Sequence, residues 1–589
     1  MSDIVSDTPS ETGDTQRVAT VVPDVTGLDK SFDYLIPPAL DAHVRVGTIV
    51  RVELHGRRIG GWVASIGAVS SDGRPLDSLK PIAKVTGHGP AAELFPLAAW
   101  ASVRWAARRV RPFLVTASPG RAVVRLPPDR RTRTAPAPAS PATAGLLSEG
   151  GGVLRLAPRT DVMPAILAAV GRGTTLVVVP EHDTVTLLAT RLRRAGLSIA
   201  VVPDDWAAAA GGVDVVIGTR SAAWAPCPDL AAAVVLDEHD EALQNERAPT
   251  WHARDVVVER CRRAGVPFVL VSPIPTLTAV VEYAGDPGVV HPPRVRERAG
   301  WPSITVVDRT DEVPWKRSLV TSALIERLRN PDLTVVCVSN ITGRARVLAC
   351  RSCRELIRCE QCDAAVGLDD GGRLACRRCG ALRPPVCQAC GASRFANLRP
   401  GVTRLREELE AAAARPAVAV TGSDAGGPAR SGIYVGTEAV LHRVRSADVV
   451  AFLEFDSEML APRFRAAEQA LALVVRAGRL APEVMIQTFS PDHDVIVAAA
   501  AGDPARILDG ERTRREMLGL PPFGALAVVS GAGSADLVAQ LPEVVQVGGD
   551  GADRYLVRAT DWTVLGAALN DVERPSGTRI RVEVDPARV

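Results

Sequence analysis

The sequence predicts a multidomain α/β protein in which two lobes, each built on a parallel sheet, follow one another along the chain. Short runs of β-branched residues alternate with alanine- and arginine-rich helical stretches, a pattern typical of buried parallel strands covered by helices on both faces. A window of closely spaced cysteines interrupts the second lobe. We therefore expect a β-rich domain before the lobes, a cysteine-rich insertion in the second lobe and a small α+β domain after it.

Length and composition exclude a single small module, a disordered chain and a membrane-spanning protein. The chain has 589 residues, which suggests about four domains. Hydrophobic residues make up 47% and charged residues 23%, so each domain has enough apolar surface to close a core. Its apolar runs stay below the roughly 18 residues of a membrane span, and residues 1–17 lack the basic start and apolar middle of a secretory signal. We expect a cytoplasmic monomer that does not contact membranes.

The β-rich N-terminal domain is expected at 17–117, after a disordered start at 1–16. Apolar and polar side chains alternate there as in half-buried strands, and 91–107 has a helical pattern. The proline-, alanine- and arginine-rich stretch 118–152 is predicted to be an exposed linker, because it can bury little apolar surface. The expected strands of this domain lie at 17–22, 48–54 and 59–66.

The first lobe is expected at 153–300, and the second lobe at 301–345 and 396–498. The insertion at 346–395 follows the second strand of the second lobe, and 499–589 begins with an arginine-rich helix and ends in short strands. Strands are expected in the first lobe at 175–179, 199–202, 213–217, 233–236 and 267–271, in the second lobe at 303–307, 334–338, 417–420, 432–435, 449–452 and 483–487, and in the C-terminal domain at 526–529, 555–557 and 579–584.

Eight of the eleven cysteines form four Cys-x-x-Cys pairs within 41 residues. Two intervening residues let both sulfurs of a pair face one tetrahedral ion, and one Zn²⁺ takes four thiolates, so eight ligands predict two closed structural zinc sites. Disulfides are the alternative, but a reducing cytoplasm disfavours them. The other three cysteines, Cys227, Cys261 and Cys337, are expected in the core. The predicted ligands are Cys350, Cys353, Cys387 and Cys390 for one zinc, and Cys359, Cys362, Cys376 and Cys379 for the other.

Arginine is concentrated between Arg104 and Arg133, where nine arginines accompany one acid, Asp129. Only four of the 69 basic residues of the chain are lysine. The net charge is +2, so the whole chain carries no strong field. Two interpretations stay open for the run: a solvated helix face followed by a linker, or a strip that follows the phosphates of a nucleic acid.

Two consecutive parallel lobes suggest a nucleotide-driven motor, yet a phosphate-binding loop is missing from the sequence. Such a loop needs glycines whose backbone amides cradle the phosphates, followed by a lysine and a Ser or Thr hydroxyl. Where the first strand should meet its helix, residues 154–166 read LRLAPRTDVMPAI. Arg159 and Thr160 stand there without a glycine cradle.

Several short blocks occur in a defined order along the chain. They are SFDYLIP (31–37), VVVPE (177–181), IGTRSA (217–222), LDEHDE (236–241), WHARD (251–255), the cysteine array, RAGR (476–479) and REMLGLPPFG (515–524). In this order the blocks resemble the PriA family of replication restart proteins, also called primosomal protein N′. The resemblance implies two RecA-like helicase lobes with a zinc-binding insertion, a small N-terminal DNA-binding domain and a C-terminal domain, and a role in reloading the replicative helicase at abandoned forks.

Motifs of the family's ATPase are degraded in this chain. The Asp-Glu-Glu-His box aligns on 236–239, so its first acid falls on Leu236 unless the register slips by one to use Asp237 and Glu238. The Ser-Ala-Thr-Pro motif reads SPIP at 272–275, and the arginine-finger motif keeps its two arginines, Arg476 and Arg479. The Gly-Thr-Gln motif reads GTEAV at 436–440, and the family's winged helix has no counterpart. We therefore predict degenerate lobes without ATP hydrolysis or unwinding, and the sequence leaves open whether ATP is bound without being cleaved.

The resemblance implies that Phe32, Asp33 and Tyr34 hold the 3′ end of a DNA strand. An aromatic face can stack the terminal base, while a carboxylate accepts a hydrogen bond from a free 3′ hydroxyl and repels an extending phosphate. The alternative is that both aromatic residues belong to the core and the acid caps a turn. Arg57 and Arg58, expected on a turn between strands, are candidate phosphate contacts.

Three functions remain open at this level. The first is a restart factor without helicase activity that binds forked or single-stranded DNA and 3′ ends, with the single-stranded DNA-binding protein and the replicative helicase as partners by resemblance. The second is an active ATP-dependent helicase with substitute motifs. The third is a zinc-ribbon scaffold for proteins only. His239 and His252 are expected to maintain the geometry of the lobes rather than to act in catalysis.

Overall fold

The computed structural model describes residues 17–589, except for 29, 72, 133–139, 287, 311–318, 340–347, 370, 377, 398–401, 421–431, 550, 552 and 575–577. The predicted disordered start at 1–16 lies outside this range. A search of the described part of the chain finds no helix that is both long and apolar enough to cross a membrane.

The N-terminal domain is an antiparallel sheet followed by two helices, as the alternating pattern predicts. Its strands occur in the order β2-β1-β4-β3-β5. The turn between β3 and β4 is formed by His55 and Gly56, so Arg57 and Arg58 begin a strand instead of lying on the turn. The elements are β1 (Val18–Pro23), β2 (Phe32–Leu35), β3 (Ile49–Leu54), β4 (Arg57–Gly67), β5 (Lys84–Gly87), α1 (Leu94–Arg104) and α2 (Arg111–Ala117).

The predicted linker is only partly extended. Described residues from 118 to 132 contain no helix or strand, but 141–148 form helix α3 (Pro141–Ser148), capped by the Ser140 hydroxyl. Leu146 and Leu147 of this helix are each 2% exposed and pack into the first lobe. The prediction of an exposed linker was wrong for this half, because the average composition of the stretch conceals one short apolar face.

The first lobe is a six-stranded parallel sheet with strand order β6-β11-β10-β7-β9-β8. Its strands are buried on both faces, which is why they appear in the sequence as uninterrupted apolar runs. The elements are β6 (Gly151–Arg155), α4 (Met163–Val170), β7 (Thr174–Val178), α5 (His182–Arg194), β8 (Ile199–Val202), α6 (Trp206–Gly211), β9 (Val215–Gly218), β10 (Leu230–Leu236), α7 (Ala253–Ala264), β11 (Phe268–Ser272), α8 (Leu277–Tyr283) and α9 (Arg294–Ala299).

The second lobe repeats this architecture with strand order β12-β22-β21-β13-β20-β19, and the cysteine-rich insertion leaves it after β13. The elements are β12 (Ser303–Asp308), α10 (Ser322–Arg329), β13 (Val335–Val338), the insertion strands β14 (Leu348–Cys350), β15 (Gly367–Leu368), β16 (Leu374–Ala375), β17 (Leu382–Arg383) and β18 (Phe395–Asn397), then α11 (Val402–Ala413), β19 (Ala417–Val420), β20 (Ile433–Gly436), α12 (Val440–Arg443), β21 (Val449–Phe452), α13 (Asp456–Met459), α14 (Ala466–Leu480), β22 (Glu483–Thr488) and α15 (Asp494–Ala501).

The C-terminal domain is an antiparallel sheet with strand order β24-β25-β23-β26, and it packs back onto the start of the chain. A Cβ at Gly566 would lie 2.3 Å from the carbonyl oxygen of Val103, so this glycine permits α18 and α1 to approach closely. Its elements are α16 (Leu508–Leu518), β23 (Ala525–Ser530), α17 (Ser534–Val538), β24 (Gln546–Gly549), β25 (Arg554–Ala559), α18 (Trp562–Asp571) and β26 (Arg581–Val584). The predicted fold class, mixed α/β with a β-rich first domain and a cysteine-rich insertion, is confirmed.

Candidate nucleotide cleft and cysteine-rich module

The loop that replaces the phosphate-binding loop runs from the end of β6 to the start of α4. At its beginning Arg155 forms a buried two-bond ion pair with Glu297, with Nε–Oε1 and Nη2–Oε2 distances of 2.5 and 3.0 Å. The amide of Arg159 donates to the carbonyl of Gly300 at 3.1 Å, and the amide of Thr160 donates within the loop. Backbone donors that would face a phosphate in a glycine-rich loop are thus bonded to the protein itself.

A carboxylate occupies the N-terminus of α4, the position where a helix favours a bound anion. Asp161 Oδ1 accepts a hydrogen bond from the backbone N–H of Met163 at 3.0 Å, and the same carboxylate pairs with Arg191 at 2.8 and 2.7 Å. The hydrogen bonds from Arg191 outweigh partial burial and lower the pKa of Asp161. A phosphate approaching this helix would therefore meet a negative charge.

The acidic box after β10 is also bonded internally. Leu236, where the family has its first acid, is 3% exposed at the end of the strand. Asp237 pairs with Arg479 through two bonds of 2.8 and 2.5 Å, and Glu238 is fully buried. Glu238 accepts hydrogen bonds from Arg254 Nη1 at 3.0 Å and from the backbone N–H of Thr276 at 2.7 Å. If the family's acidic box is aligned one residue later, it falls on Asp237 and Glu238, and both of these carboxylates already pair with an arginine.

Arginines of α14 bridge the two lobes. Arg476 contacts Glu181 at 2.6 Å and Asp240 at 2.5 Å, both in the first lobe, while Arg479 adds a bond to the carbonyl of Pro158 at 3.2 Å. A hydrogen bond with His442, together with Arg476, lowers the pKa of Glu181 to about 2 despite its burial. The arginine-finger positions therefore contact protein carboxylates across the cleft.

Residues of the C-terminus close the same cleft, whose remaining cavity measures about 110 Å³. Arg588 lies 3.0 Å from Glu241 of the first lobe and 3.9 Å from Glu438 of the second. Gln469 donates to the carbonyl of Ala587 at 2.8 Å. The cavity is consequently small and surrounded by mutually paired charges.

The two histidines beside the cleft have structural contacts. His239 Nδ1 lies 2.8 Å from the Ser272 hydroxyl, which joins the acidic box to the end of β11. His252 caps α7 by accepting from the backbone N–H of Arg254, and burial lowers its pKa to about 3. The first contact connects two neighbouring elements of the first lobe, and the second stabilises the start of one helix.

The eight cysteines of the insertion form two clusters, and these are the two sets of four that the sequence predicts. In each cluster the four sulfurs lie within 4.8 Å of one another. Sulfur–sulfur distances are 3.5 Å for Cys350–Cys390 and 3.4 Å for Cys359–Cys379. Tetrahedral Zn²⁺ with bonds of about 2.3 Å separates its sulfurs by about 3.8 Å, so both clusters fit this ion.

All four Cys-x-x-Cys pairs have the same local geometry. In each pair the residue after the second cysteine has a positive φ, between 57° and 78°, and its amide donates to the carbonyl of the first cysteine. Glycine supplies this conformation in two pairs, and an arginine and an aspartate adopt it in the others. Those residues are Arg354, Asp363, Gly380 and Gly391. Cys227, Cys261 and Cys337, by contrast, are at most 3% exposed in the lobes, which confirms their predicted core positions.

The segment predicted to hold a DNA end forms strand β2. Tyr34 is 4% exposed and donates its hydroxyl to the carbonyl of Glu53, so it is a core residue, while Phe32 is half-buried. Asp33 is 5% exposed, with Oδ1 accepting from Thr20 at 2.8 Å. Its Oδ2 accepts three further bonds, from the Ser70 hydroxyl and from the amide and hydroxyl of Ser71. Burial raises the pKa of Asp33, but these hydrogen bonds outweigh it and lower the pKa below its usual value.

The arginine run between 104 and 133 is neither a uniform helix face nor a continuous strip. Arg104 stacks on Trp562 with its guanidinium carbon 3.8 Å from the ring centre. Arg111 pairs with Asp24 at 2.8 Å, and Arg131 pairs with both Asp129 and Asp229. Arg121, in contrast, lines an open groove with Arg58 and with Arg51, a residue that the sequence pattern did not single out.

Comparison with known proteins finds related sequences along most of the chain. A family model described as "PriA_3primeBD: 3'DNA-binding domain (3'BD)" matches residues 17–114. The replication restart protein PriA of Bacillus subtilis (strain 168) is 27% identical over 397 residues, covering 60% of this chain and 49% of that protein. The same-named protein of Treponema pallidum (strain Nichols) is 28% identical over 437 residues, covering 64% and 65%. A probable replication restart protein PriA of Mycobacterium bovis is 29% identical over 577 residues, covering 86% and 85%.

The chain thus spans about half to two thirds of the length of the first two relatives and most of the third. These matches agree with the resemblance predicted from the ordered sequence blocks.

Proposed function

We propose that this relative of the replication restart protein PriA is a restart factor that binds abandoned replication forks as a scaffold and helps to reload the replicative helicase without hydrolysing ATP. One observation carries the proposal: the charges around the nucleotide cleft pair with one another. Arg155 pairs with Glu297, Arg479 with Asp237, and Arg254 with Glu238. The last two pairs use the acids of the box and an arginine-finger position, which nucleotide chemistry would otherwise need, and the first holds the start of the loop that stands in place of the phosphate-binding loop.

Phosphoryl transfer depends on positioning and on neutralising charge at the transferred group. For phosphoryl transfer, Asp237 and Glu238 would have to separate from their arginines so that Mg²⁺ could bind. The phosphates would also need other hydrogen-bond donors. Breaking a buried ion pair by removing one partner costs about 3–5 kcal/mol. Several such pairs would have to open together, which opposes the alternative of an active helicase with substitute motifs.

The N-terminal domain is proposed to bind DNA, with Asp33 at the 3′ end of a strand. Asp33 Oδ1 has one described hydrogen-bond partner, Thr20, and a carboxylate oxygen can accept two bonds. A terminal 3′ hydroxyl could be the second donor, and the exposed part of Phe32 could stack the last base, which contributes about 1–3 kcal/mol. Tyr34 supports this strand from the core instead of contacting DNA.

The two cysteine clusters are proposed to hold one structural Zn²⁺ each. Both sets are complete with four thiolates, so neither has an open position for catalysis. The remaining proposals follow the family: the protein acts in the cytoplasm as a monomer, and it meets the single-stranded DNA-binding protein and the replicative helicase at the fork.

A protein-interaction scaffold is the second candidate, because the cysteine-rich module exposes apolar side chains. Leu368, Leu382 and Val386 are 50%, 54% and 43% exposed on its surface. They offer a partner protein a contact that does not require DNA. This function is compatible with the first and becomes the main one if DNA binding is absent.

Two measurements test the proposal. ATP turnover and strand separation with single-stranded and forked DNA should stay at background, and an Asp237→Asn variant should be indistinguishable from the original protein. Turnover that is abolished by Asp237→Asn would overturn the proposal.

The second measurement compares fork substrates whose nascent strand ends in a 3′ hydroxyl or a 3′ phosphate. We expect tighter binding of the hydroxyl end and loss of this preference in Asp33→Asn. If the protein binds neither substrate, the interaction scaffold is the better description.

A further inference from the structure

A groove in the N-terminal domain is lined by three arginines and is open to solvent. Arg51 of β3, Arg58 of β4 and Arg121, which follows α2, line a cavity of about 480 Å³. Gly60 and Gly120 form part of its surface. The groove joins the sheet to the beginning of the segment that was expected to be a linker.

The three guanidiniums differ from most arginines discussed above because no carboxylate of the described residues forms a close ion pair with them; Glu53, opposite Arg58 in the sheet, pairs with Lys80 at 2.7 Å and acts on Arg58 from farther away. All three residues are exposed, and among the described residues none has a hydrogen bond, ion pair or ring contact to its guanidinium. Asp24, the acid in the groove, already pairs with Arg111. The groove therefore carries a net positive charge, which Glu53 offsets in part at Arg58.

The segment that bears Arg121 forms one side of the groove and is held in place, while the surface at Gly120 is open. His88 donates its amide to the carbonyl of Val123 at 2.7 Å, and a Cβ at Gly87 would lie 2.6 Å from that same oxygen, so the segment bearing Arg121 lies tightly against the end of β5. An added Cβ at Gly120 would meet nothing within 4 Å. The arginines thus surround free space that an extended polymer could enter.

We propose that this groove binds the sugar-phosphate backbone of the DNA strand whose 3′ end is held at Asp33, a proposal that rests on the function proposed above. In the register of the sheet, Thr20 of β1 lies opposite Asp33 of β2 on one side and opposite Ser65 of β4 on the other. Gly60 lies five residues before Ser65 along β4. At about 3.3 Å per strand residue, Gly60 in the groove and Ser65 beside the Asp33 site are about 17 Å apart. Each nucleotide of a duplex strand advances about 3.4 Å along the helix axis, so in duplex geometry the groove lies about five nucleotides from the strand end, and fewer nucleotides of an extended single strand cover the same distance.

The test is fluorescence anisotropy with single-stranded DNA, titrated at several salt concentrations. An Arg51→Ala, Arg58→Ala, Arg121→Ala triple variant should lower the slope of log affinity against log salt by about 2, since each contact to single strands contributes about 0.7. At 0.1 M salt this corresponds to about 100-fold weaker binding than the original protein, with the curves converging near 1 M. Because these side chains are exposed, the triple variant should fold normally, as thermal unfolding can verify.

Control variants distinguish the loss of binding at the groove from a general effect of removing positive charge. A matched triple variant at Arg172, Arg193 and Arg194, exposed arginines of the first lobe, should bind like the original protein. Dinucleotides should bind both triple variants alike, because even an extended dinucleotide is too short to reach the groove from Asp33. Gly120→Glu, which adds one negative charge where no atom lies nearby, should weaken binding of long strands.

Outcomes for the groove and for the proposed function are distinguishable. If the original protein binds no DNA, the proposed function fails. If it binds DNA and prefers 3′ hydroxyl ends, but the groove variants keep its affinity and salt slope, the groove proposal alone is overturned. If the groove variants lose affinity for an acidic peptide such as polyglutamate and keep it for DNA, the groove binds protein instead.

Discussion

The cleft between the lobes and the cysteine-rich module both gather many polar side chains, but these side chains find their partners in different ways. In the cleft, carboxylates and guanidiniums from distant parts of the chain pair directly, as Arg479 does with Asp237 and Arg476 with Asp240. In the module, four cysteine sulfurs converge in each of two clusters. In the cleft, charges pair with one another, whereas the module has a set of donors suited to a metal ion.

This difference indicates which site depends on an added ion. Closely packed thiols gain little from one another, since S–H is a weak donor and sulfur a weak acceptor. Charged pairs across the cleft form charge-assisted hydrogen bonds, which are among the stronger contacts in proteins. Removing metal should therefore affect the module strongly, and removing nucleotide should not affect the cleft.

The largest expected effect is on the module. Metal analysis should find two zincs per chain, and Cys376→Ser should reduce this to one. Binding of structural zinc contributes about 10–16 kcal/mol in small zinc-dependent peptides, so residues 346–395 should become sensitive to protease while the lobes stay folded. Cys227→Ala, at a buried cysteine outside the module, should keep both zincs, and fewer than two in the original protein would contradict the assignment.

A smaller but still large effect is expected in the loop that replaces the phosphate-binding loop. Glu297→Ala should lower the free energy of unfolding by about 3–5 kcal/mol, because it leaves Arg155 buried without its partner. Arg294→Ala removes a half-exposed neighbour of the same acid and should cost about 1 kcal/mol or less. Chemical denaturation measures both.

A double variant sharpens this prediction. Replacing the pair by apolar residues, Arg155→Met with Glu297→Leu, should recover most of the lost stability, since well-packed apolar groups often substitute for a buried ion pair. A double variant as unstable as Glu297→Ala would show that the loop depends on the charges themselves.

The smallest expected effect concerns the pH dependence of the contact between the lobes. The pKa of Glu181 is lowered to about 2, so the unfolded chain binds its proton more readily than the folded one. The stability that Glu181 contributes should be complete above about pH 4.5 and should decrease as the pH falls from there towards 2. Because its side chain is 41% exposed, solvent reduces the size of this effect.

Urea unfolding at pH 7 and pH 3 tests the prediction. The difference in stability between the original protein and Glu181→Gln should be present at pH 7 and reduced at pH 3. Glu149→Gln, at an exposed position in the turn after α3, serves as the matched control. A difference that grows towards low pH would contradict the sign of this prediction.

Local patterns predicted much of the fold. Strands at 199–202 and 449–452 have the bounds that the sequence indicates, because strands buried on both faces leave continuous apolar runs. The edge strand at 417–420 also has the predicted bounds, although Val418 is 52% exposed. The order of the cysteine knuckles along the chain allows several pairings, and the predicted inner and outer sets are the ones that the structure brings together. Helix α3 was missed, since only two leucines within a proline-rich stretch give it an apolar face.

The sequence by itself determined the two parallel lobes, the inserted cysteine clusters and the absence of a glycine-rich loop, because each of these features depends on a pattern of residues that are close together in the chain. Only the tertiary structure decided which charges meet: Arg155 and Glu297 are 142 residues apart, and Arg479 and Asp237 are 242 apart. With 69 basic and 67 acidic side chains in the chain, no local pattern selects these partners. Burial and distance select them, and both exist only in the folded chain: the first pair forms within the first lobe and the second between the lobes.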